Sequence, residues 1–227
     1  MGNVPPLRFP EFTGEWSLIT LKDAIKIQGG YAFKSEKFQE TGIPIVRISN
    51  LPQNESFVNL NKCVYYLEGN FSNFEIQKGE LLIAMSGATT GKTAIYNYDK
   101  PAYLNQRVGC FKVKDILHYP FLYSIVDTKA FRNQLSTKLV AGAQPNISPA
   151  DVESIRMFIP NISEQQKIAY FLFLLDERIA TQNKIIDKLQ SLIKGIRVCC
   201  MQRVYGNNVH LSEIAQIYQP QTISSTE

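Results

Sequence analysis

Apolar residues recur at alternating intervals of four and three positions through the last third of the chain. The pattern holds from residue 168 onward with one polar exception, Gln182, and no proline interrupts it before residue 200. A repeat sustained over about five heptads is typical of a coiled-coil helix. It predicts one long helix over residues 161–206, with a seam formed by Ile168, Leu172, Leu175, Ile179, Gln182, Ile186, Leu189, Ile193, Ile196 and Cys200.

The predicted start of this helix carries a capping-box pattern, in which Ser163 accepts from the backbone of Gln166 and the Gln166 side chain reaches back. At ~1.5 Å per residue the helix would be ~60 Å long. A compact domain of about 160 residues is only ~40 Å across. The helix therefore extends past its own domain, and its seam needs another helix as a partner. The alternative, a long helix lying on a large core, would require a broader apolar stripe.

Residues 1–160 combine helical and strand patterns. A short amphipathic helix is predicted at Thr20–Ile27, with Thr20 as its N-cap. Helical spacing returns within residues 119–139, and residues 140–148 then read as a loop. Short apolar runs bounded by Gly, Pro and Asn predict strands within residues 42–51, 78–87 and 103–113. This part of the chain is therefore predicted to be a mixed α/β domain.

The stretch "SGATTGKT" at residues 86–93 raises the question of a nucleotide-binding P-loop. A P-loop has the pattern G-x-x-x-x-G-K-[ST] between a strand and a helix. Gly91 and Lys92 match its second half, but Ser86 stands where the first glycine should be. The residues after Lys92 alternate like a strand rather than a helix. A hairpin-like loop is favoured, in which the glycines allow positive φ.

Composition narrows the class of protein without naming a function. The 227 residues are 44% hydrophobic and 19% charged, which is typical of a globular protein, and the formal charge of +4 permits a nucleic-acid surface. The four cysteines form no C-x-x-C pair, and with two histidines they suggest no zinc site. We therefore expect no cofactor or metal. We also expect a cytoplasmic protein, since no signal segment or membrane span is apparent.

The C-terminal segment repeats an earlier one. "LSEIAQI" at residues 211–217 aligns with "LKDAIKI" at residues 21–27. A repeat agrees with a coiled-coil helix whose partner is missing. Residues 207–227 are therefore interpreted as the beginning of a second copy of the first domain.

Four blocks, in this order and followed by the heptad helix, carry a resemblance to a known family. The chain resembles the specificity subunit of Type I restriction-modification systems. The blocks are "GEWSLITLKDAIKIQGGYAFKS" at 14–35, "KGELLIAMSGATTGKTAIY" at 78–96, "YLNQRVGCFKV" at 103–113, and "AGAQPNISPADVESIRMFIPNISEQQKIA" at 141–169.

The resemblance implies a DNA target-recognition domain at residues 1–160, a spacer helix at 161–206 and a stub at 207–227. The full-length family subunit has two such domains, separated by antiparallel helices, and each reads half of a split target in double-stranded DNA. It recruits modification (methyltransferase) and restriction subunits and has no catalytic activity of its own. A chain with one domain and one helix is expected to restore the arrangement as a homodimer. The length leaves open a natural half subunit or a truncated one.

Candidate DNA-binding residues follow from side-chain chemistry, because amides, Arg and Lys make bidentate contacts with base edges. Family-wide motifs cannot dictate a target that differs between members, so structural or phosphate-positioning roles are favoured for "SGATTGKT" and "LNQR". The candidates are Lys34, Lys37, Arg47, Asn50, Gln53 and Asn54 in the less family-like stretches, and Thr89, Thr90, Lys92 and Arg107 in the motifs.

Two other classes stay open at the level of sequence. Gly91-Lys92-Thr93 leaves a P-loop-like ATP-dependent enzyme, and the long helix leaves a coiled-coil adaptor that binds another protein. An N6-adenine methyltransferase would need [DN]-P-P-[YFW], whereas the nearest match here is Val4-Pro5-Pro6-Leu7. No G-x-G-x-x-G turn for a cofactor is present. These observations favour a non-catalytic protein.

Overall fold

A computed structural model describes residues 5–53, 55–67, 69–139 and 145–202. The described residues divide into two units between Phe173 and Leu174. The strands are β1 (Ser17–Thr20), β2 (Ile25–Gly29), β3 (Ile43–Val46), β4 (Val64–Tyr66), β5 (Glu75–Ile76), β6 (Leu81–Ala84), β7 (Thr93–Ile95), β8 (Ala102–Leu104), β9 (Val108–Val113) and β10 (Arg156–Ile159). The helices are α1 (Leu21–Ala24), α2 (Tyr119–Asp127), α3 (Lys129–Lys138), α4 (Pro149–Glu153) and α5 (Ile162–Gln202).

The strands form three sheets in the first unit. The central sheet has the order β2-β9-β6-β7 and is antiparallel throughout. A second sheet has the order β4-β3-β8-β5, in which β3 and β8 are parallel. β1 and β10 pair antiparallel, with Ser17 opposite Ile159. The mixed α/β fold predicted from the sequence is confirmed.

The central sheet is buried on both faces, which explains why β6 is a continuous apolar run. Leu81 and Ile83 pack into a core with α2 and α3, while Leu82 and Ala84 point into a second core on the other face. A strand covered on both sides has no position for a polar residue. The first core therefore fixes where the β6–β7 hairpin meets α2 and α3.

Three predicted elements have different limits. The first helix ends at Ala24, because Ile25–Gly29 pairs with β9 as a strand instead of completing a second turn. The single strand expected within 103–113 is two strands, β8 and β9, in different sheets. The helix expected within 119–139 breaks at Thr128, whose hydroxyl accepts from the backbone N–H of Phe131 at 3.2 Å and so caps α3.

The long helix is present as α5, and residues 162–202 of the predicted 161–206 are helical. The Ser163–Gln166 capping box is wrong. The helix starts two residues earlier than that box requires, and the Asn161 side chain accepts from the Glu164 N–H at 2.9 Å. Residues 203–206, the predicted stub at 207–227 and Asn54 lie outside the described residues.

Candidate nucleic-acid interface

The "SGATTGKT" stretch closes the hairpin between β6 and β7. The Gly91 N–H donates to the Ala84 carbonyl at 2.8 Å, and the strand β7 follows Lys92 directly. Gly87 and Gly91 have φ of +84° and +81°, which favour glycine strongly. The predicted hairpin with positive-φ glycines is confirmed. A P-loop requires a helix at this point, so the P-loop hypothesis is wrong.

The hairpin lines an open cleft of about 600 Å³, here called the hairpin cleft, together with α2, α3 and the segment before Val58. Four of the ten candidates line it, namely Gln53, Thr89, Thr90 and Lys92. The Lys92 ammonium donates to the Gln53 carbonyl, and the Thr90 hydroxyl donates to the Gly87 carbonyl at 2.6 Å. The Lys92 contact joins the hairpin to the Gln53 side of the cleft, while the Thr90 contact lies within the hairpin itself. Residue Gln53 is exposed.

Sequence reasoning missed Arg132, which also lines the hairpin cleft. Arg132 follows Phe131, a buried residue of α3, and its guanidinium donates to Asp127 at 2.7 Å on the exposed side of the helix. Two cations, Lys92 and Arg132, therefore lie at one cleft. The apolar spacing of Phe131 and Leu135 was the only signal in the sequence that placed Arg132 outward.

Arg107 lines a separate cleft of about 490 Å³, here called the Arg107 cleft, with Ser86, Gln106 and Asn146. Its backbone carbonyl accepts from the Met85 N–H at 2.8 Å, while its side chain is exposed. The Ser86 hydroxyl is buried and has no hydrogen-bond partner among the described residues. The structure thus separates Arg107 from the hairpin-cleft candidates.

Asn50 is not available to a base edge. It is 2% exposed, its carbonyl oxygen accepts from the Arg47 N–H, and its amide donates to the Asn59 carbonyl, each at 2.9 Å. Arg47 itself is half-buried beside this turn. The prediction of Asn50 as a DNA-contacting residue is therefore corrected to a structural role, because both of its polar groups are already satisfied.

Lys34 and Lys37 are exposed; Lys34 directly precedes the short 3-10 turn Ser35–Lys37, and Lys37 is its last residue. Neither lines the hairpin cleft or the Arg107 cleft. Beside them, Phe33 lies in an aromatic cluster with Tyr31, Tyr66, Phe71 and Tyr103. The exposed candidates therefore occupy three places on the domain rather than one.

An N-terminal segment is held on the first turns of α5. The Arg8 guanidinium donates two hydrogen bonds of 2.6 Å to the Glu164 carboxylate, whose side chain is fully buried, and the Trp16 N–H donates to it at 3.2 Å. These hydrogen bonds, that of Arg8 first, lower the pKa of Glu164 below its ordinary value. Phe9 packs edge-on against Phe171. The start of α5 is thereby part of the domain.

The seam of α5 divides into two parts. Ile168 packs against the first core, and Leu172 lines an apolar groove of about 410 Å³ with Phe9 and Phe171. From Leu175 onward every seam position is exposed, and the large apolar ones are 39% to 57% exposed. Only the second part is an apolar surface without cover within the described chain.

Within residues 5–53, 55–67, 69–139 and 145–202 no three His, Cys, Asp or Glu side chains are grouped as metal ligands. None of the helices described is both long and apolar enough to cross a membrane.

Residues 13–191 match the family described as Type I restriction modification DNA specificity domain. The Type I restriction enzyme MjaVIII specificity subunit of Methanocaldococcus jannaschii is 27% identical over 195 residues, which are 82% of this chain and 45% of that protein. The EcoKI specificity subunit of Escherichia coli is 23% identical over 218 residues, which are 91% of this chain and 45% of that protein. The chain thus spans less than half the length of these curated relatives.

The fold also matches solved structures. The HsdS subunit from Thermoanaerobacter tengcongensis aligns with a TM-score of 0.54 at 16% identity, over 79% of this chain and 41% of that one. A chain from a type I R-M system aligns with a TM-score of 0.59 at 16% identity, over 86% of this chain and 46% of that one. At 16% identity these matches show a shared fold and nothing further.

Proposed function

The chain belongs to the family of Type I restriction modification DNA specificity domains, and we propose that it is a DNA-reading subunit of a Type I restriction-modification complex. Residues 1–160 act as one target-recognition domain, residues 161–206 as the spacer helix, and residues 207–227 as the start of a second domain. The chain carries no catalysis itself; it directs modification subunits, and through them the restriction subunit, to the target. The observation that carries the proposal is the family match, which extends through the recognition domain into α5.

The surface chemistry of the domain supports double-stranded DNA as the ligand. Lys92 and Arg132 at the hairpin cleft are suited to phosphates, and the exposed amide of Gln53 at the same cleft is suited to a base edge. Arg107 supplies a cation at the separate Arg107 cleft. We propose that Lys92, Arg132 and Arg107 contact phosphates and so position the protein on the DNA. Gln53, Lys34 and Lys37 are the candidates for contacts with base edges.

The exposed seam supports self-association. Apolar side chains repeated along a helix are stabilised by burial against a second helix. Because closed two-fold dimers are the commonest homo-oligomers, a second copy of this chain is the partner we propose. Two identical domains related by a two-fold axis read identical half-sites on opposite strands, so the target is an interrupted palindrome.

The methylome of cells that carry this chain with its cognate modification subunit, and no other specificity subunit, tests the proposal. We expect methylated adenines in both halves of one interrupted palindrome. An asymmetric bipartite target would contradict the homodimer while leaving the DNA-reading function intact. If all subunits are expressed and this chain adds no methylated site, the proposed DNA-reading function is wrong. Binding of another protein by the same chain would then favour the coiled-coil adaptor.

The dependence of DNA affinity on salt tests the positioning role of Lys92. Replacing a phosphate-binding lysine lowers the slope of log K against log salt by about one per contact. We expect Lys92→Ala in the complex with modification subunits to lower the slope by about two, since each dimer holds two copies, and to weaken all targets alike. Lys78→Ala, at an exposed lysine paired with Asp99, is the matched control. If Lys92→Ala weakened only those targets that carry a particular base at one position, the phosphate-positioning role of Lys92 would be wrong.

A further inference from the structure

The free part of the α5 seam is symmetric about its own middle. Its eight positions run from Leu175 to Cys200, because Ile168 and Leu172 are already engaged within the domain. The centre of these eight positions falls between residues 187 and 188. An antiparallel copy centred there covers all eight positions, whereas a shift by one heptad in either direction leaves two of them without a free partner.

The two flanks of the seam differ in character. In heptad terms the seam occupies positions a and d, and flanking positions e and g face the partner's flanks. One flank, position e, is polar throughout, with Asp176, Asn183, Gln190 and Arg197. The other, position g, is mainly apolar over the same length, with Arg178, Ile185, Leu192 and Cys199. All eight side chains are exposed.

This difference decides the direction of pairing. In a parallel pair position g faces position e, which would place Ile185 against Gln190 and Leu192 against Arg197. In an antiparallel pair g faces g and e faces e. With the axis between residues 187 and 188, Ile185 meets Leu192 of the second copy, and Asp176 meets Arg197 of the second copy. Apolar groups are then buried together, and opposite charges are paired.

We propose that α5 pairs with α5 of a second copy in this antiparallel register, in which Ile186 faces Leu189 and Ile179 faces Ile196 across the axis. Two Asp176–Arg197 ion pairs border one side of the interface, and two Ile185–Leu192 contacts widen the other side. The register rests on the proposed function in taking a second copy as the partner. It goes further by naming which residues meet, and therefore how far apart the two recognition domains are held.

Cross-linking of paired cysteines tests the register in the full chain. In a background with Cys199→Ser and Cys200→Ala, we expect Ile179→Cys/Ile196→Cys to give a covalent dimer under mild oxidation or with a short bismaleimide. Positions 179 and 196 lie ~25 Å apart on one helix, so a bond within one copy is excluded. Ile179→Cys/Leu189→Cys, which face each other only after a one-heptad shift, is the matched control. Ile179→Cys alone cross-links only in a parallel pair.

Light scattering of the same variants separates failure of the register from failure of the homodimer. A dimer that cross-links through the control pair, through the single cysteine or through no pair would overturn the register and leave the homodimer standing. A monomer at all concentrations would overturn both, while the methylome would still report on DNA reading.

A charge exchange gives a second measurement without cysteines. Asp176→Arg and Arg197→Asp alone are each expected to weaken self-association about two- to thirtyfold, since two exposed ion pairs are lost per dimer. The double exchange should restore most of this affinity, because the pair is rebuilt with reversed polarity. A double variant no tighter than either single variant would overturn the register. Asn183→Asp, on the same flank, controls for a change of net charge.

Discussion

Asn50 and Gln53 are two amides three residues apart whose surroundings give them different roles. Asn50 is buried and joins two backbone segments, while Gln53 is exposed at the hairpin cleft. Removing the Asn50 amide leaves buried backbone groups without partners, so we expect Asn50→Ala to lower the free energy of unfolding by about 1–3 kcal/mol. Gln53→Ala should change it by less than about 0.5 kcal/mol. Urea unfolding measures both.

The same two variants separate folding from recognition. In the complex with modification subunits, Gln53→Ala is expected to alter DNA affinity or base preference although its stability is unchanged. Equal stability of Asn50→Ala and wild type would show that the buried amide contributes nothing, and the structural assignment of Asn50 would be wrong.

Residue type alone could not separate these two amides. Both were predicted as DNA contacts because amides suit base edges. The burial of Asn50 depends on Asn59, whose carbonyl reaches it only after the chain has turned back. The positive-φ glycines of the hairpin were predictable for the opposite reason, since a tight turn is local and its demand on the backbone is visible in a few residues.

The start of α5 shows how a local signal can match at the wrong position. Ser163 and Gln166 fit a capping box, yet Asn161 provides the cap. Gln166 is exposed, whereas Glu164 and Gln165 are buried. Glu164 binds Arg8 and Trp16, and Gln165 binds the backbone of His118 and Pro160. These long-range contacts fix the helix start two residues earlier. They join residues far apart in the chain, so the local sequence pattern does not reveal them.

Two alanine variants measure that correction. Loss of the cap in Asn161→Ala should cost about 1 kcal/mol, within a usual range of about 0.5–2 kcal/mol. Ser163→Ala lies in the first turn without a capping role and should change stability by less than about 0.5 kcal/mol. Thermal or urea unfolding decides between the two positions, and a larger loss for Ser163→Ala would restore the capping box read from the sequence.

The contact between Arg8 and Glu164 predicts a pH dependence. The folded pKa of Glu164 lies below its ordinary value of 4.5. The stabilisation is therefore complete above pH 4.5 and is lost as the pH falls through the folded pKa. We expect Glu164→Gln to flatten the decline of stability in this acidic range. Glu11→Gln, which removes the half-exposed partner of Lys167, is the control on the same face. Urea titrations from pH 7 to pH 3 give both profiles, and identical slopes would contradict the assignment.

At the scale of the molecule, repetition was predictable and strand pairing was not. The heptad pattern gave α5 nearly to its described end, because each of its turns repeats the same demand. The second sheet instead joins β3 to β8 in parallel, with Ile45 opposite Tyr103, and no local pattern specifies such a partner. The blocks that resemble the family led to the proposed function, since side-chain chemistry alone left three classes open.

The proposed register converts helix length into DNA spacing. Between Leu175 of the two copies the paired helices extend over ~38 Å, and one heptad contributes ~10 Å of that distance. At ~3.4 Å per base pair, deletion of residues 183–189 should shorten the spacer by about three base pairs. The deletion removes a whole heptad, so the seam stays continuous and the half-sites stay unchanged. Three base pairs also rotate the half-sites by ~100° relative to each other, so affinity should fall.

Methylome sequencing, or selection of bound sequences from randomised spacers, measures the result. Duplication of the same heptad is the matched control, and it should lengthen the spacer by the same amount. Because both variants keep the recognition domain intact, the half-site sequences serve as an internal check on folding. A spacer that stays at its original length in both variants would show that α5 does not set the distance between the recognition domains. The proposal that the antiparallel homodimer determines the spacer length of the target would then be wrong.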